Sequence, residues 1–183
     1  ENIAIALQEH YLPRFSGDIL PSTQEGAVLA IADRLDTLVG IFGINQKPTG
    51  VKDPFQLRRL ALGVIRLLID NKYSFTIETL INKSLSSFRI ELPNINLCKE
   101  LSQFIDDRFY VHLTSTCSIR TDVAKSVLSV LDRHSLSDLL ARCQALQSFL
   151  GSEDVADLIQ GFKRITNILK GKMELDESSP EAS

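Results

Sequence analysis

Apolar residues recur at helical spacing along nearly the whole chain, and no stretch sustains the period-2 alternation that a half-buried strand needs. That single regularity selects an all-α fold. Val28, Ala32, Leu35, Val39 and Phe42 form one stripe and predict a helix over Gly26–Phe42, with Ser22-Thr23-Gln24-Glu25 as a capping box ahead of it and Gly40 and Gly43 marking its end. Leu57, Leu60, Ala61, Val64, Leu67 and Leu68 predict a second helix over Pro54–Asp70, with Asp53 as N-cap and Pro54 in the first helical position. A third follows Thr76 through Ile77, Leu80, Ile81 and Leu85.

Pro93-Asn94 interrupts the pattern and places a domain boundary there, dividing 1–92 from 93–172. Beyond it, helices are expected over Leu97–Leu113, Thr121–Asp132, Leu136–Phe149 and Glu153–Lys170, with Ser135 and Ser152 as N-caps. Residues 173–183 are acidic, serine-rich and aperiodic, and read as a disordered tail. The first residues already fall within a helical pattern and no initiator methionine precedes them, so the 183 residues read as a piece of a larger protein.

Charge narrows the function classes. The net charge is −3, which argues against a uniformly basic nucleic-acid binder, yet four acids and no base lie in Met173–Ser183, and the remainder carries +1. No apolar run approaches the ~18–20 residues of a membrane span. Cys98, Cys117 and Cys143 are odd in number and lack C-x-x-C spacing; they read as free, half-buried thiols of a reducing cytoplasm, not as a disulfide or zinc framework.

Catalytic motifs are missing. There is no phosphate-binding glycine loop, no nucleophile elbow and no H-E-x-x-H. His10, His112 and His134 are widely separated, and none is followed by Asp. Asp33 and Asp36 share a helix face and offer a carboxylate pair or one metal ligand, but read better as a polar face paired with Arg34 or another base. In His10-Tyr11-Leu12-Pro13-Arg14 with Gly17-Asp18, Arg14 is a candidate phosphate contact and His10 a candidate proton carrier; the structural reading is a helix exit and loop in which Arg14 closes a buried ion pair.

Two basic stretches stand out. Lys47, Lys52, Arg58, Arg59 and Arg66 face the single acid Asp53. Such a run suits a phosphate backbone, and equally a solvated helix face with an interface salt bridge. In the last expected helix, Val155, Leu158, Phe162, Ile165 and Leu169 form the buried face, while Lys163, Asn167 and Lys170 form a neighbouring polar stripe beside Arg164. Bases there also suit a helix C-terminus.

From Glu9 to Leu68 the chain resembles the β-subunit family of bacterial glycyl-tRNA synthetases. His10-Tyr11 with Pro13-Arg14, Gly17-Asp18, Ala32-Asp33-x-Leu35-Asp36-Thr37-Leu38, and Lys52-Asp53-Pro54 with Leu57-Arg58-Arg59 carry the likeness. RTDVAKSVL, DLLARCQALQSF, SEDVADL and FKRITNIL resemble the C-terminal anticodon-binding region of the same family, which is similar to the helical anticodon-binding domain of arginyl-tRNA synthetases. Arg34-Leu35-Asp36 stands where the family usually has Lys-Leu-Asp, and Val111–Ser118 departs most.

The resemblance implies a helical HD-like region over 1–92, named for its likeness to HD phosphohydrolases, followed by a helical anticodon-binding bundle over 93–172. It implies the C-terminal part of a β subunit that recognises tRNA(Gly) in the cytoplasm, within an assembly of two α and two β subunits. The α subunit would carry aminoacylation with ATP, glycine and magnesium, leaving this stretch without catalytic residues, cofactor or metal, and with no DNA or membrane partner. Backbone contacts are expected from Arg14, Lys47, Lys52, Arg58 and Arg59, and anticodon contacts from Arg142, Lys163, Arg164, Asn167 and Lys170. A metal-dependent HD phosphohydrolase and a helical protein-binding adaptor are the competing readings.

Overall fold

The structure, a computed structural model, describes residues 2–130, 134–152, 155, 160–162 and 164–166. Helices account for the regular structure: α1 (Asn2–Glu9), α2 (Gln24–Gly43), α3 (Leu57–Asp70), α4 (Ile77–Leu85), α5 (Leu97–Ser115), α6 (Thr121–Val130) and α7 (Leu136–Leu150). Among the described residues, β pairing is limited to one isolated bridge between Thr49 and Lys52, so the all-α expectation holds. No described helix is long and apolar enough to cross a membrane.

The chain divides into two compact units, Glu1–Cys143 and Gln144–Ser183. In the first, α2 is the central element and packs against α1, α3, α4 and α5. Its buried residues are Ala27, Ala30, Ile31, Leu35, Leu38, Val39 and Phe42, beside the charged Arg34. The expected stripe is therefore rotated: Leu35, Val39 and Phe42 are buried, but Val28 and Ala32 are exposed. Four neighbours widen the covered arc beyond one row, and Ala27 and Ala30 lie on the covered side. α5 contributes Leu97, Leu101, Ile105, Phe109 and Leu113, a run at i+4 spacing that packs on α2, α3 and α4. Each such fully buried side chain contributes about 1.5–3 kcal/mol. Residue 93 lies in the connection between α4 and α5, within the first unit. There Asn94 donates its side-chain amide to the carbonyl of Phe42 and to Glu100 Oε2, tying the connection to the end of α2.

Two helix starts differ from expectation. Thr23, not Ser22, caps α2, its hydroxyl accepting from the Gly26 amide at 3.1 Å. The amide and hydroxyl of Ser22 and those of Thr23 donate instead to the Glu9 carboxylate, which lowers its pKa from 4.5 to about 2. α3 begins at Leu57, not Pro54, because Gln56 adopts a left-handed conformation (φ 56°) that breaks the helix on its N-terminal side. Asp53 still serves that terminus, accepting from the amides of Leu57 and Arg58 at 2.8 and 3.0 Å across the intervening turn. Thr76 caps α4 through its hydroxyl, and the Ser135 cap of α7 forms as expected. The expected helix end at Asp132, most of the Glu153–Lys170 helix and all of the 173–183 tail lie outside the described residues.

Candidate nucleic-acid interface

The loop from His10 to Asp18 is held by arginines through its main chain. Arg34 is 4% exposed and donates to the carbonyl oxygens of His10 (3.0 Å), Tyr11 (3.0 Å) and Pro13 (3.1 Å), and to Ala30 on its own helix (2.8 Å). This corrects the expectation that Arg34 pairs with Asp33 or Asp36, which are both exposed. Burial pulls the Arg34 pKa down, and the adjacent Asp33 charge works in the other direction. Arg66 on α3 reaches the same loop, donating to the carbonyl oxygens of Asp18 at 2.7 Å and Phe15 at 3.4 Å.

Arg14 pairs with Asp18 at 3.0 Å, but the pair is buried on one side only: the Asp18 side chain is 6% exposed and that of Arg14 64%. The guanidinium and the backbone amides of Arg14 and Ile19 hold the Asp18 carboxyl below its ordinary pKa. His10 folds back on the end of α1, its Nδ1 within 2.6 Å of the Leu7 carbonyl in an exposed contact.

The basic run around α3 separates into engaged and unengaged cations. Lys47 contacts Glu100 at 2.6 Å, across to α5. Arg58 donates to the Gly50 carbonyl at 2.6 Å and lies 3.8 Å from Asp53. Lys52 and Arg59 are exposed and make no side-chain hydrogen bond or ion pair among the described residues. They flank the start of α3: Lys52 on the short turn closed by its backbone bridge to Thr49, and Arg59 in the first helical turn.

Of the expected anticodon contacts, Arg142 bonds Asp138 at 2.7 Å on the exposed side of α7, and Asp138 also faces His134 Nδ1 at 3.0 Å. In the second unit Arg164 is exposed. Lys163, Asn167 and Lys170 lie outside the described residues. Val155 is buried as expected, but Phe162 and Ile165 are 64% and 57% exposed, so those two do not form a covered face. The described residues contain no group of three or more His, Cys, Asp or Glu placed to hold a metal ion.

Arg108 on α5 escaped the sequence reading. Its guanidinium carbon lies 5.3 Å from the Phe104 ring centroid, and Phe104 in turn lies 5.1 Å from Phe42. Its Nε is buried and has no hydrogen-bond partner among the described residues. A recognisable signal was present in the i+4 spacing from Phe104. On another flank of α5, Asp106, Asp107 and Tyr110 line a cleft of about 870 Å³ together with Glu78 of α4, Lys125 of α6 and the adjoining His134.

A family model for the glycyl-tRNA synthetase beta subunit matches residues 1–129. The chain is 42% identical over 171 residues to the glycine–tRNA ligase beta subunit of Coxiella burnetii (strain Dugway 5J108-111), covering 92% of the chain and 24% of that protein. It is 43% identical over 169 residues to that of Colwellia psychrerythraea, with 92% and 24% covered. Against that of Acinetobacter baylyi it is 40% identical over 182 residues, with 99% and 25% covered. The chain thus spans about a quarter of the length of these curated relatives.

Proposed function

Since this chain belongs to the glycyl-tRNA synthetase beta subunit family, a ligase component of protein biosynthesis, we propose that it is a tRNA-binding part of that subunit, engaging tRNA(Gly) for glycylation carried out on the α subunit. The helices to residue 92 act as an HD-like support, and those beyond it as the anticodon-binding bundle. In this reading the chain supplies no catalytic group, and ATP, glycine and magnesium belong to the α subunit in the cytoplasm.

One observation carries the reading. Within a run whose other cations are tied to Glu100, Asp53 or backbone carbonyls, Lys52 and Arg59 stand exposed at the start of α3, unpaired among the described residues. Two solvated cations a short distance apart along the chain suit successive phosphates, and contacts of that kind set affinity without reading sequence. Arg142 and Arg164 are exposed cations suited to unpaired bases, which arginine recognises by stacking and hydrogen bonding.

The test is a double charge reversal, Lys52→Glu with Arg59→Glu, in the complete two-subunit enzyme. All tRNAs should bind more weakly, and the slope of log K against log salt should flatten by roughly 0.7–0.9 per lost phosphate contact. Unchanged affinity and slope would show that tRNA does not pass over the start of α3.

A further inference from the structure

Arg108 is an anomaly on the ground of charge alone. It is mostly buried, it makes no hydrogen bond or ion pair among the described residues, and its Nε is closed off from solvent without an acceptor. A buried cation is normally matched by a carboxylate or by carbonyl oxygens, because an uncompensated one opposes folding. The Phe104 ring compensates part of that cost through its π face. Its own helix row offers no relief. Glu100 lies eight residues back on the same stripe, but Lys47 takes one of its oxygens and Asn94 the other. Asp107 faces the cleft on another flank of α5 and accepts from Gln103.

The position of Arg108 says what would complete it. α3 and α5 pack together. One turn beyond Arg108, on the same side of α5, His112 sits within electrostatic reach of Arg66 and Asp70 of α3. Arg59 and Arg66 are seven residues apart and so share one side of α3. Among the described residues Arg66 bonds to carbonyl oxygens alone, which do not neutralise its charge. Arg59 is exposed and unpaired among the described residues. Asp70 is the acid that faces this region. The excess is positive, and it favours a polyanion over an isolated carboxylate.

We propose that Arg108, stacked on Phe104, is a contact for a phosphate of the bound RNA, continuing along α5 the basic surface that begins with Lys52 and Arg59. The proposal rests on the tRNA-binding reading above and adds a residue and a route to it: the strand would run from the start of α3 toward the middle of α5. The planar stack holds the guanidinium so that its remaining N–H edges meet phosphate oxygens with little loss of side-chain freedom.

The experiment uses the complete two-subunit enzyme carrying Arg108→Gln or Arg108→Lys, with transcribed tRNA(Gly) as the probe. Affinity is measured across a salt series, and subunit association by sedimentation. Arg108→Gln should weaken tRNA binding roughly tenfold, as loss of a charge-assisted hydrogen bond does, and lower the salt slope by roughly 0.7–0.9. Arg108→Lys should keep the slope while losing part of the affinity, since it retains charge but not the planar fork. Both should sediment as the wild type does. Unchanged affinity and slope in the Gln variant overturn the proposal, and so does a loss confined to subunit association, which would identify the partner as a protein carboxylate. With Lys52→Glu/Arg59→Glu measured in parallel, a response there and none at Arg108 refutes only this residue; no response in either refutes the tRNA surface as a whole.

Discussion

Replacing Arg34 by Met tests how the loop at 10–18 is held. The substitution keeps a flexible apolar stem and removes a guanidinium that donates to four carbonyl oxygens. The cost is less than four bonds in full. The His10 and Tyr11 carbonyls lie in partly buried bonds where water can replace the donor, whereas the bonds to Pro13 and Ala30 are buried; the Ala30 carbonyl keeps its helical backbone donor within α2, so only that of Pro13 is orphaned. One orphaned acceptor costs about 1–3 kcal/mol. The two water-replaceable bonds add about 0.5–1.5 kcal/mol each. Against this stands the relief of no longer desolvating a charge, which in other proteins reaches several kcal/mol. The bond terms sum to about 2–6 kcal/mol before that relief, and a net loss of about 2–4 kcal/mol is expected only where the relief is small because the guanidinium is already well matched by its four carbonyls. At roughly 2–4 °C per kcal/mol for a chain of this size, the melting temperature should fall by about 5–15 °C. Thermal unfolding followed by circular dichroism reads this directly. Gly63→Ala strikes the same junction from the other helix, because a Cβ there would stand 2.6 Å from Arg34 Nε and 3.1 Å from its Cδ. It should cost about 1–3 kcal/mol, as overpacking does. If Arg34→Met melts within about 1 °C of wild type, the arginine does not hold the loop and the reasoning fails.

Acid should loosen the junction between Glu9 and the start of α2. The folded-state pKa of Glu9 is depressed to about 2 from 4.5, so its contribution to stability is fully present above about pH 4.5 and is lost as pH falls toward 2. Melting curves from pH 7 to 2 should show a shallower acid decline in Glu9→Gln than in wild type; parallel declines would refute the assignment. Asp53→Ala should destabilise by about 0.5–2 kcal/mol through loss of the α3 cap, whereas Gln56→Gly should stabilise or be neutral by relieving the left-handed conformation; urea midpoints separate the two. Burial raises the thiol pKa of Cys143 and of Cys117, and Cys143 is fully buried. Peptide mapping after brief native alkylation should therefore find Cys98 and Cys117 labelled before Cys143, and early labelling at Cys143 would contradict its packing.

Helical periodicity was enough to recover the helices from α2 to α7, because each buries a stripe whose period survives in the sequence. What it misjudged was rotation and onset. The Val28–Ala32 side of α2 looked covered because one row of apolar residues was traced, while the helix in fact meets four others and buries a broader arc. Asp53-Pro54 looked like a helix start because both residues suit one, and only the left-handed Gln56, which no pattern announces, moves the onset to Leu57. The same limit applied to the charges. Whether an arginine meets carboxylate, carbonyl or ring is a question of long-range geometry, so the sequence alone pairs Arg34 with acids on its own helix and gives Arg108 no distinguishing mark beyond its i+4 spacing from Phe104. Lys52 and Arg59 read from the sequence only as two cations among others in a sparse-acid stretch; that Lys47 and Arg58 are engaged while these two have no partner among the described residues is a matter of tertiary geometry.

Arg34 and Arg66 seize the loop by its peptide groups, and this has a consequence for which substitutions the loop can absorb. Every amino acid brings the same carbonyl, so the fastening is indifferent to the side chains at positions 10, 11 and 15, whose carbonyls it uses. What it demands is the path of the chain. Tyr11 and Phe15 are 66% and 56% exposed and can vary widely without loosening either arginine. An insertion or deletion of a single residue between 10 and 18 would move the acceptors out of register with both at once. The loop should therefore be permissive to point changes at positions 11 and 15, though not at the buried Asp18, and intolerant of changes in length.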